Sequence, residues 1–254
     1  MIHSALRRLK KPKQAKIPSV PDHLRVYAIG DIHGRLDLLR EMGHKISRDL
    51  RGSACEAIAV LLGDYVDRGP QSAAVIEDLV QGVFPVPIIA LRGNHEEMLL
   101  RFLDDEGTLD TWRKFGGLET LKSYGVSVVD PMRGKGYEIA ATSFRCVLPE
   151  KHVQFLKRTS LNISFGDYFF CHAGVKPGVA LGEQNINDLL WIRDEFLVYT
   201  GSFEKIIVHG HTPSLEPQQF SNRINVDTGA YATSKLTALV LEGEHRRFLW
   251  TGSK

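Results

Sequence analysis

Three loops of this 254-residue chain crowd carboxylates, imidazoles and guanidinium groups into five to seven residues each. They are Gly30-Asp31-Ile32-His33-Gly34, Gly63-Asp64-Tyr65-Val66-Asp67-Arg68-Gly69 and Arg92-Gly93-Asn94-His95-Glu96. Further along stand His172, followed by Ala173-Gly174, and the pair in His209-Gly210-His211. Taken singly these signals are weak, because Gly, Asp and Asn are ordinary turn residues. A lone histidine at a strand end is also more often hydrogen-bonded structure than ligand. Together they supply oxygen and imidazole donors with no thiolate, a set that suits Mn, Fe or Zn in a catalytic role rather than a structural zinc. A carboxylate can bridge two ions, and paired ions about 3.5–4 Å apart serve hydrolysis at phosphorus.

Each of the three loops follows an apolar run and precedes a helical pattern. Strands are expected at 25–29, 57–62 and 86–91, with helices from about 35 to 50, through Val80 and through Leu103. Pro70 suits the first turn of the middle helix. Strands alternating with helices imply α/β architecture with right-handed crossovers. In such folds the loops beyond the carboxyl ends of the strands line one crevice, so the three polar loops should converge. Residues 108–124 space Leu109, Trp112, Phe115, Leu118 and Leu121 by three or four, an amphipathic insert broken at Gly116-Gly117. Its aromatic stripe reads as core before it reads as a substrate platform. A short helix from Pro149 to Arg158 follows, then a hairpin of 161–165 and 168–171 turning at Gly166-Asp167. A helix over 187–198, a strand over 206–208 and strand-like runs at 223–226, 235–242 and 246–250 complete the chain. The second half is thus mostly strand, a second sheet packed on the first.

Hydrophobic content of 43% and charged content of 24% are those of an ordinary globular protein. No run of eighteen apolar residues exists, so no transmembrane segment is expected. Cys55, Cys146 and Cys171 are odd in number and far apart, which argues against a disulfide scaffold and for a reducing, cytoplasmic setting. The net charge of +2 divides unevenly, +5 over residues 1–24 and −3 over the rest. Pro12, Pro18 and Pro21 break that leader, which lacks the apolar core of a secretory signal. It is expected to be poorly ordered, with a basic arm for nucleic acid or anionic lipid as the sharper alternative. Residues 25–254 are expected to form one catalytic domain, whose mild acidity counts against a nucleic-acid partner.

The five motifs, in this order and over about residues 25–240, resemble the phosphoprotein phosphatase (PPP) family of metallophosphoesterases. The resemblance implies a four-layer fold, two mixed β-sheets face to face with helices outside. It implies two divalent ions, manganese first with iron or zinc as alternatives. Asp31, His33 and the bridging Asp64 would hold one, and Asp64, Asn94, His172 and His209 the other. A hydroxide held by the metals would attack phosphorus directly, since coordination can lower a water's pKa from about 15.7 to about 7. His95 matches the family's general acid, with Asp67 hydrogen-bonded behind it. Arg68 and Arg193 match phosphate clamps. Arg92 is either a third clamp or a salt-bridge partner. His211 corresponds to a group that orients His209 without binding metal. Asp227 and Tyr231 lie either in the family's late loop near the pocket or in a strand end turning at Gly229. Cys171 reads as a buried strand residue.

The resemblance implies a serine/threonine protein phosphatase of bacterial type, acting on phosphoserine, phosphothreonine or phosphotyrosine in a phosphoprotein or phosphopeptide. The alternative is a nucleotide hydrolase similar to the symmetrical diadenosine tetraphosphatases. Asp67 and the complete 92–96 run favour the first. A non-catalytic scaffold with a basic nucleic-acid-binding arm would lack a ligand or the acid, and none is missing.

Overall fold

A strand whose alternate residues are both apolar needs cover on two faces, and here each sheet receives it from a different layer. The computed structural model describes residues 17–252; most of the expected leader, residues 1–16, lies outside the described residues. β1 (Leu24–Ile29), β2 (Glu56–Leu61) and β3 (Ile88–Ala90) run parallel, connected through α1 (Leu36–Asp49) and α2 (Ser72–Gln81). α3 (Asn94–Asp104) opens directly behind β3. An insert of short helices follows: α4 (Leu109–Trp112), α5 (Gly117–Ser123), α6 (Val129–Met132), α7 (Tyr137–Val147) and then α8 (Glu150–Arg158). The hairpin of β4 (Asn162–Phe165) and β5 (Tyr168–Cys171) leads to α9 (Ile186–Trp191) and α10 (Asp194–Leu197). β6 (Ile206–His209), β7 (Gln218–Gln219), β8 (Arg223–Asn225), α11 (Ala230–Thr233), β9 (Thr237–Glu242) and β10 (His245–Trp250) finish the chain.

The sheets have the orders β10-β9-β1-β2-β3 and β4-β5-β6-β8-β7, and both are mixed. β9 and β10 therefore close the first sheet instead of extending the second, β9 antiparallel to β1 and β10 antiparallel to β9. Between the sheets, Val26, Ala28, Val60 and Leu62 meet Tyr168, Phe170, Val208 and Ile224. The alternate residues Tyr27, Ile29, Ala59 and Leu61 face Leu39, Met42, Val75 and Leu99 of the covering helices. On the far side, Phe169, Cys171 and Ile207 pack on Leu189 and Phe196 of α9 and α10. The result is the expected stack of helices, sheet, sheet, helices. Phe170 is fully buried at the centre of that stack, and truncating it to Ala would cost about 3–5 kcal/mol.

Two details depart from the sequence pattern. The helix expected over 187–198 is broken into α9 and α10, with Arg193 between them at φ −131° and ψ −101°. The chain is also ordered ahead of residue 25. Val20 is buried and its N–H donates to Gly243 O at 3.1 Å, while the Ser19 N–H donates to Asp167 Oδ2 at 3.0 Å. Among the described residues no helix is long and apolar enough to cross a membrane.

Candidate metal centre

Parallel strands put their carboxyl ends on one side, and every motif lies there. Asp31 and His33 follow β1, Asp64 and Asp67 follow β2, and Asn94 and His95 open α3 behind β3. His172 follows β5, His211 follows β6 and Asp227 follows β8. His33, Asp64, Asp67, Arg68 and His211 all have positive φ, between 46° and 72°. Such backbone costs on the order of 1–3 kcal/mol per residue and persists only where its surroundings enforce it. At Asp64 the enforcer is Glu96. One carboxylate oxygen accepts from the Tyr65 N–H at 2.8 Å, and the other accepts from the Asp64 and Gly93 N–H groups at 2.8 and 2.9 Å. Burial, then the charge of Asp64, pushes the Glu96 carboxyl up to about 7. At Gly93 an added Cβ would lie 2.1 Å from Asp64 Oδ1, so only glycine lets the two loops meet. The sequence motif contained Glu96 but gave it no role.

Asp64 sits at the middle of the imidazoles. His172 Nδ1 donates to Leu62 O at 2.9 Å, which leaves its Nε2 as a bare lone pair. That lone pair faces His211 Nδ1 at 3.2 Å and Asp64 Oδ1 at 3.4 Å. His33 repeats the arrangement: Nδ1 donates to Val66 O at 2.8 Å, and Nε2 stands 3.5 Å from Asp64 Oδ2 with no hydrogen-bond partner. Buried acceptors aimed at acceptors are unfavourable unless a cation lies between them. The donor set thus fits divalent ions. Two groups, His33–Asp64–His95 and Asp64–His172–His211, each bring their ligand atoms within 4.8 Å of one another, and Asp64 belongs to both. Asn94 Oδ1 joins the second, 2.9 Å from both His172 Nε2 and His211 Nδ1.

Burial disfavours the protonated form of these rings and so favours the form that can ligate, holding His33 and His172 below their ordinary values and His211 down to about 2. Burial works against the Asp64 charge, but His172, His95, His33 and His211 outweigh it and hold the carboxyl below the usual range. Asp31 moves the other way: burial, then the nearby charges of Asp227 and Asp64, raise it well above a normal carboxyl. Asp227 is itself pushed up to about 6, by burial before any charge. Three buried carboxyls crowd one spot, and a cation would relieve them. Asp227 therefore lies beside Asp31 and Asp64, near enough for their charges to act on one another.

His209, expected as a ligand, is not brought to this cluster. Along β6 it shares the outward face with Ile207, and its ring lies 4.9 Å from that of Phe196 in the outer core. His211 occupies the expected place instead. Beyond Gly210, whose added Cβ would lie 2.2 Å from Asp31 Oδ1, the left-handed turn at φ 65° swings it inward. Its N–H also donates to Asp31 Oδ2 at 3.1 Å.

His95 is held from behind. Its Nδ1 lies 2.6 Å from Asp67 Oδ2, and Asp67 also accepts from Trp112 Nε1 and Thr120 Oγ1, both at 2.6 Å. Burial disfavours the charged ring, but Asp64 and Asp67 overcome it and raise His95 above its ordinary value. Trp112 and Thr120 come from the insert. Trp112, Leu109 and Leu121 are buried as core residues should be; the indole N–H on Asp67 is a second job that spacing could not show.

Of the three arginines, Arg68 Nη2 stands 3.3 Å from His95 Nε2, and its guanidinium lies 4.8 Å from the Tyr231 ring centre. Arg193, at the break between α9 and α10, is close enough for its charge to press down on His172 and His211. Arg92 is engaged elsewhere: its guanidinium donates to Thr159 Oγ1 at 3.1 Å and to Glu97 Oε2 and Lys157 O at 3.2 Å. The salt-bridge alternative is the one its geometry matches. Cys171 is buried in the outer core, and burial raises its thiol.

The sequence profile of the calcineurin-like phosphoesterases matches residues 24–238. An asymmetrical bis(5'-nucleosyl)-tetraphosphatase PrpE from Oceanobacillus iheyensis is 26% identical over 241 residues, spanning 85% of this chain and 88% of its own. A protein of the same name from Anoxybacillus flavithermus is 27% identical over 236 residues, spanning 83% and 88%. Among solved structures, a candidate diadenosine tetraphosphatase superposes with a TM-score of 0.61 at 18% identity, covering 91% of this chain and 95% of that one. A cold-active protein tyrosine phosphatase reaches 0.54 at 16% identity, covering 95% and 87%. At such identities the structures show the fold alone. The named relatives overturn the expected serine/threonine protein phosphatase and its phosphoprotein substrate. The physical reason for the error is visible in the centre. Asp67 and Arg92, which favoured that reading, hold His95 and bridge to α8, tasks that any phosphoester substrate would need equally.

Proposed function

This chain belongs to the calcineurin-like phosphoesterase family, and from that premise we propose that it hydrolyses dinucleoside tetraphosphates into two unequal nucleotides. The observation that carries this reading is the shared name of relatives aligned along most of their length. Asp31, His33 and Asp64 would hold one divalent ion, and Asp64, Asn94, His172 and His211 the other. Bound there, the ions supply Lewis-acid pull on phosphoryl oxygens and a water of lowered pKa. Oxygen and imidazole donors make manganese the first ion to try.

The side chains divide the remaining work. Arg68 and Arg193 bind the phosphate chain, whose oxygens match guanidinium forks. His95, fixed at Nδ1 by Asp67, carries at Nε2 the proton given to the departing bridging oxygen. Arg68 lowers the proton affinity of His95, so a phosphate that neutralises Arg68 makes the ring a readier carrier. A departing nucleotide is a far better leaving group than an alkoxide, so His95 contributes less here than it would to a phosphomonoester. Residues from 25 onward act as one catalytic domain in this reading. The free thiols of Cys55, Cys146 and Cys171 fit a reducing cytoplasm.

Incubation with diadenosine tetraphosphate and manganese, followed by separation of the nucleotides, tests the proposal. Equal amounts of AMP and ATP are expected. Two ADP per substrate would overturn the unequal cut, and faster turnover of a phosphothreonine peptide would overturn the substrate class.

A further inference from the structure

Resting on that reading, we infer that Phe115 and Trp191 form a seat for one nucleobase of the substrate at the edge of the metal centre. Phe115 ends the turn between α4 and α5 and is 39% exposed, whereas Leu109, Trp112 and Leu121 of the same stripe are buried. It belongs to none of the buried clusters. Val129, Met132 and Ile139 of the insert are exposed too; what singles out Phe115 is its place beside His95. Its ring centre lies 6.4 Å from that of His95 and 6.5 Å from that of Trp191. Trp191, half-buried at the end of α9, lies 6.3 Å from His211. The four rings form an arc running from the proton carrier to the second ion's ligands.

Phe115 and Trp191 stand at 73° to each other, so they form a corner, not two parallel walls. A base stacked on the face of Phe115 would meet Trp191 at its edge, both favourable aromatic geometries. An unequal cut breaks the bridge next to a nucleoside monophosphate, so one nucleoside lies at most one phosphate from the reacting phosphorus, with its base one ribose beyond. That base must lie close to His95, where Phe115 offers an exposed ring; the exposed ring of Tyr231 on the other side is already faced by the Arg68 guanidinium. Stacking discriminates little among bases, because every base has a π face. The seat should therefore distinguish nucleotides from bare polyphosphate more than adenine from guanine.

The test compares diadenosine tetraphosphate with inorganic tetraphosphate, which has no base, using the full chain with manganese. Phe115→Ala should lower the ratio of the two kcat/KM values by about 5- to 100-fold, mainly through KM, the scale of one lost stacking contact. Phe115→Trp should restore it. Independently of turnover, AMP should quench the fluorescence of Trp191, and Trp191→Phe should remove that component. A ratio unchanged by Phe115→Ala overturns the seat while leaving the reaction class standing. So does a ratio lowered instead by Met132→Glu, which alters the neighbouring 460 Å³ cleft bounded by Arg68, Leu118 and Val128. Failure of the wild type on diadenosine tetraphosphate would defeat the functional reading, and the AMP quench would still decide the seat.

Discussion

Asp64 and Asp67 sit three residues apart in one loop, both fully buried, in opposite surroundings. Asp67 is met by donors: His95, Trp112 and Thr120 each give it a hydrogen bond at 2.6 Å. Asp64 accepts one backbone N–H, from His95 at 3.2 Å, and otherwise faces the bare nitrogens of His33 and His172. The protein completes the first carboxylate and leaves the second to be completed by a cation. The same residue type, in the same loop, is a fixed support in one case and half of a coordination sphere in the other. The difference lies in which neighbours carry protons, not in burial or sequence distance.

Breaking the incomplete side should have the larger effect. Chelation, or Asp64→Ala, should lower hydrolysis by at least about 10⁴-fold, because metal activation of water alone spans more than eight pKa units, roughly from 15.7 to 7. Metal analysis of Asp64→Ala should show neither ion retained; one retained ion would mean that Asp64 is not shared. His211→Ala should lose one ion and more than about 100-fold in activity, a scale reached even by residues behind metal ligands. His209→Ala should keep both ions. If the two histidines behave the other way round, the placement of His211 at the centre is mistaken. On the completed side, His95→Asn should retain both ions and lose about 10²-fold in kcat, the low end for a lost proton donor. An alkyl phosphomonoester should suffer a larger loss in the same variant. Equal losses on the two substrates would show that His95 does not protonate the leaving oxygen.

The contrast between the two histidines also shows where sequence reading reaches its limit. Positions i and i+2 share a face while a strand continues, so alternation cannot tell His209 from His211. The choice depends on β6 ending at His209 and on a left-handed residue two positions later, a backbone event that pattern does not encode. β1, β2 and β3 with their loops were legible because each is an apolar run ending abruptly in charge. The hairpin at Gly166-Asp167 was legible from its turn residues. The break at Arg193 was not, because Leu189, Leu190 and Phe196 fit one helix as well as two. Asp227 was ambiguous for a related reason: a strand ending at Asn225 explains a turn residue there without any ligand role, and only the fold sets it beside Asp31. The substrate was least legible, since the residues around the reacting phosphorus answer to phosphorus and not to what is attached to it.

The smallest expected effect probes how far Asp67 depends on its full set of donors. Trp112→Phe keeps an aromatic ring against Phe102 and Phe144, whose centres lie 5.2 and 6.4 Å away, and removes the N–H on Asp67 along with some buried ring volume, whose loss adds to the cost. Two donors remain, so the carboxylate is weakened but not abandoned. A hydrogen bond to a charged group contributes about 1.5–3 kcal/mol, which in a chain of this size corresponds to a fall in Tm of about 3–12 °C. Activity should drop less than about tenfold, because Asp67 keeps its bond to His95. Were Trp112→Phe to cost as much as His95→Asn, the indole would be setting the position of the acid itself. The insert would then be part of the proton-carrying machinery and not a brace placed behind it.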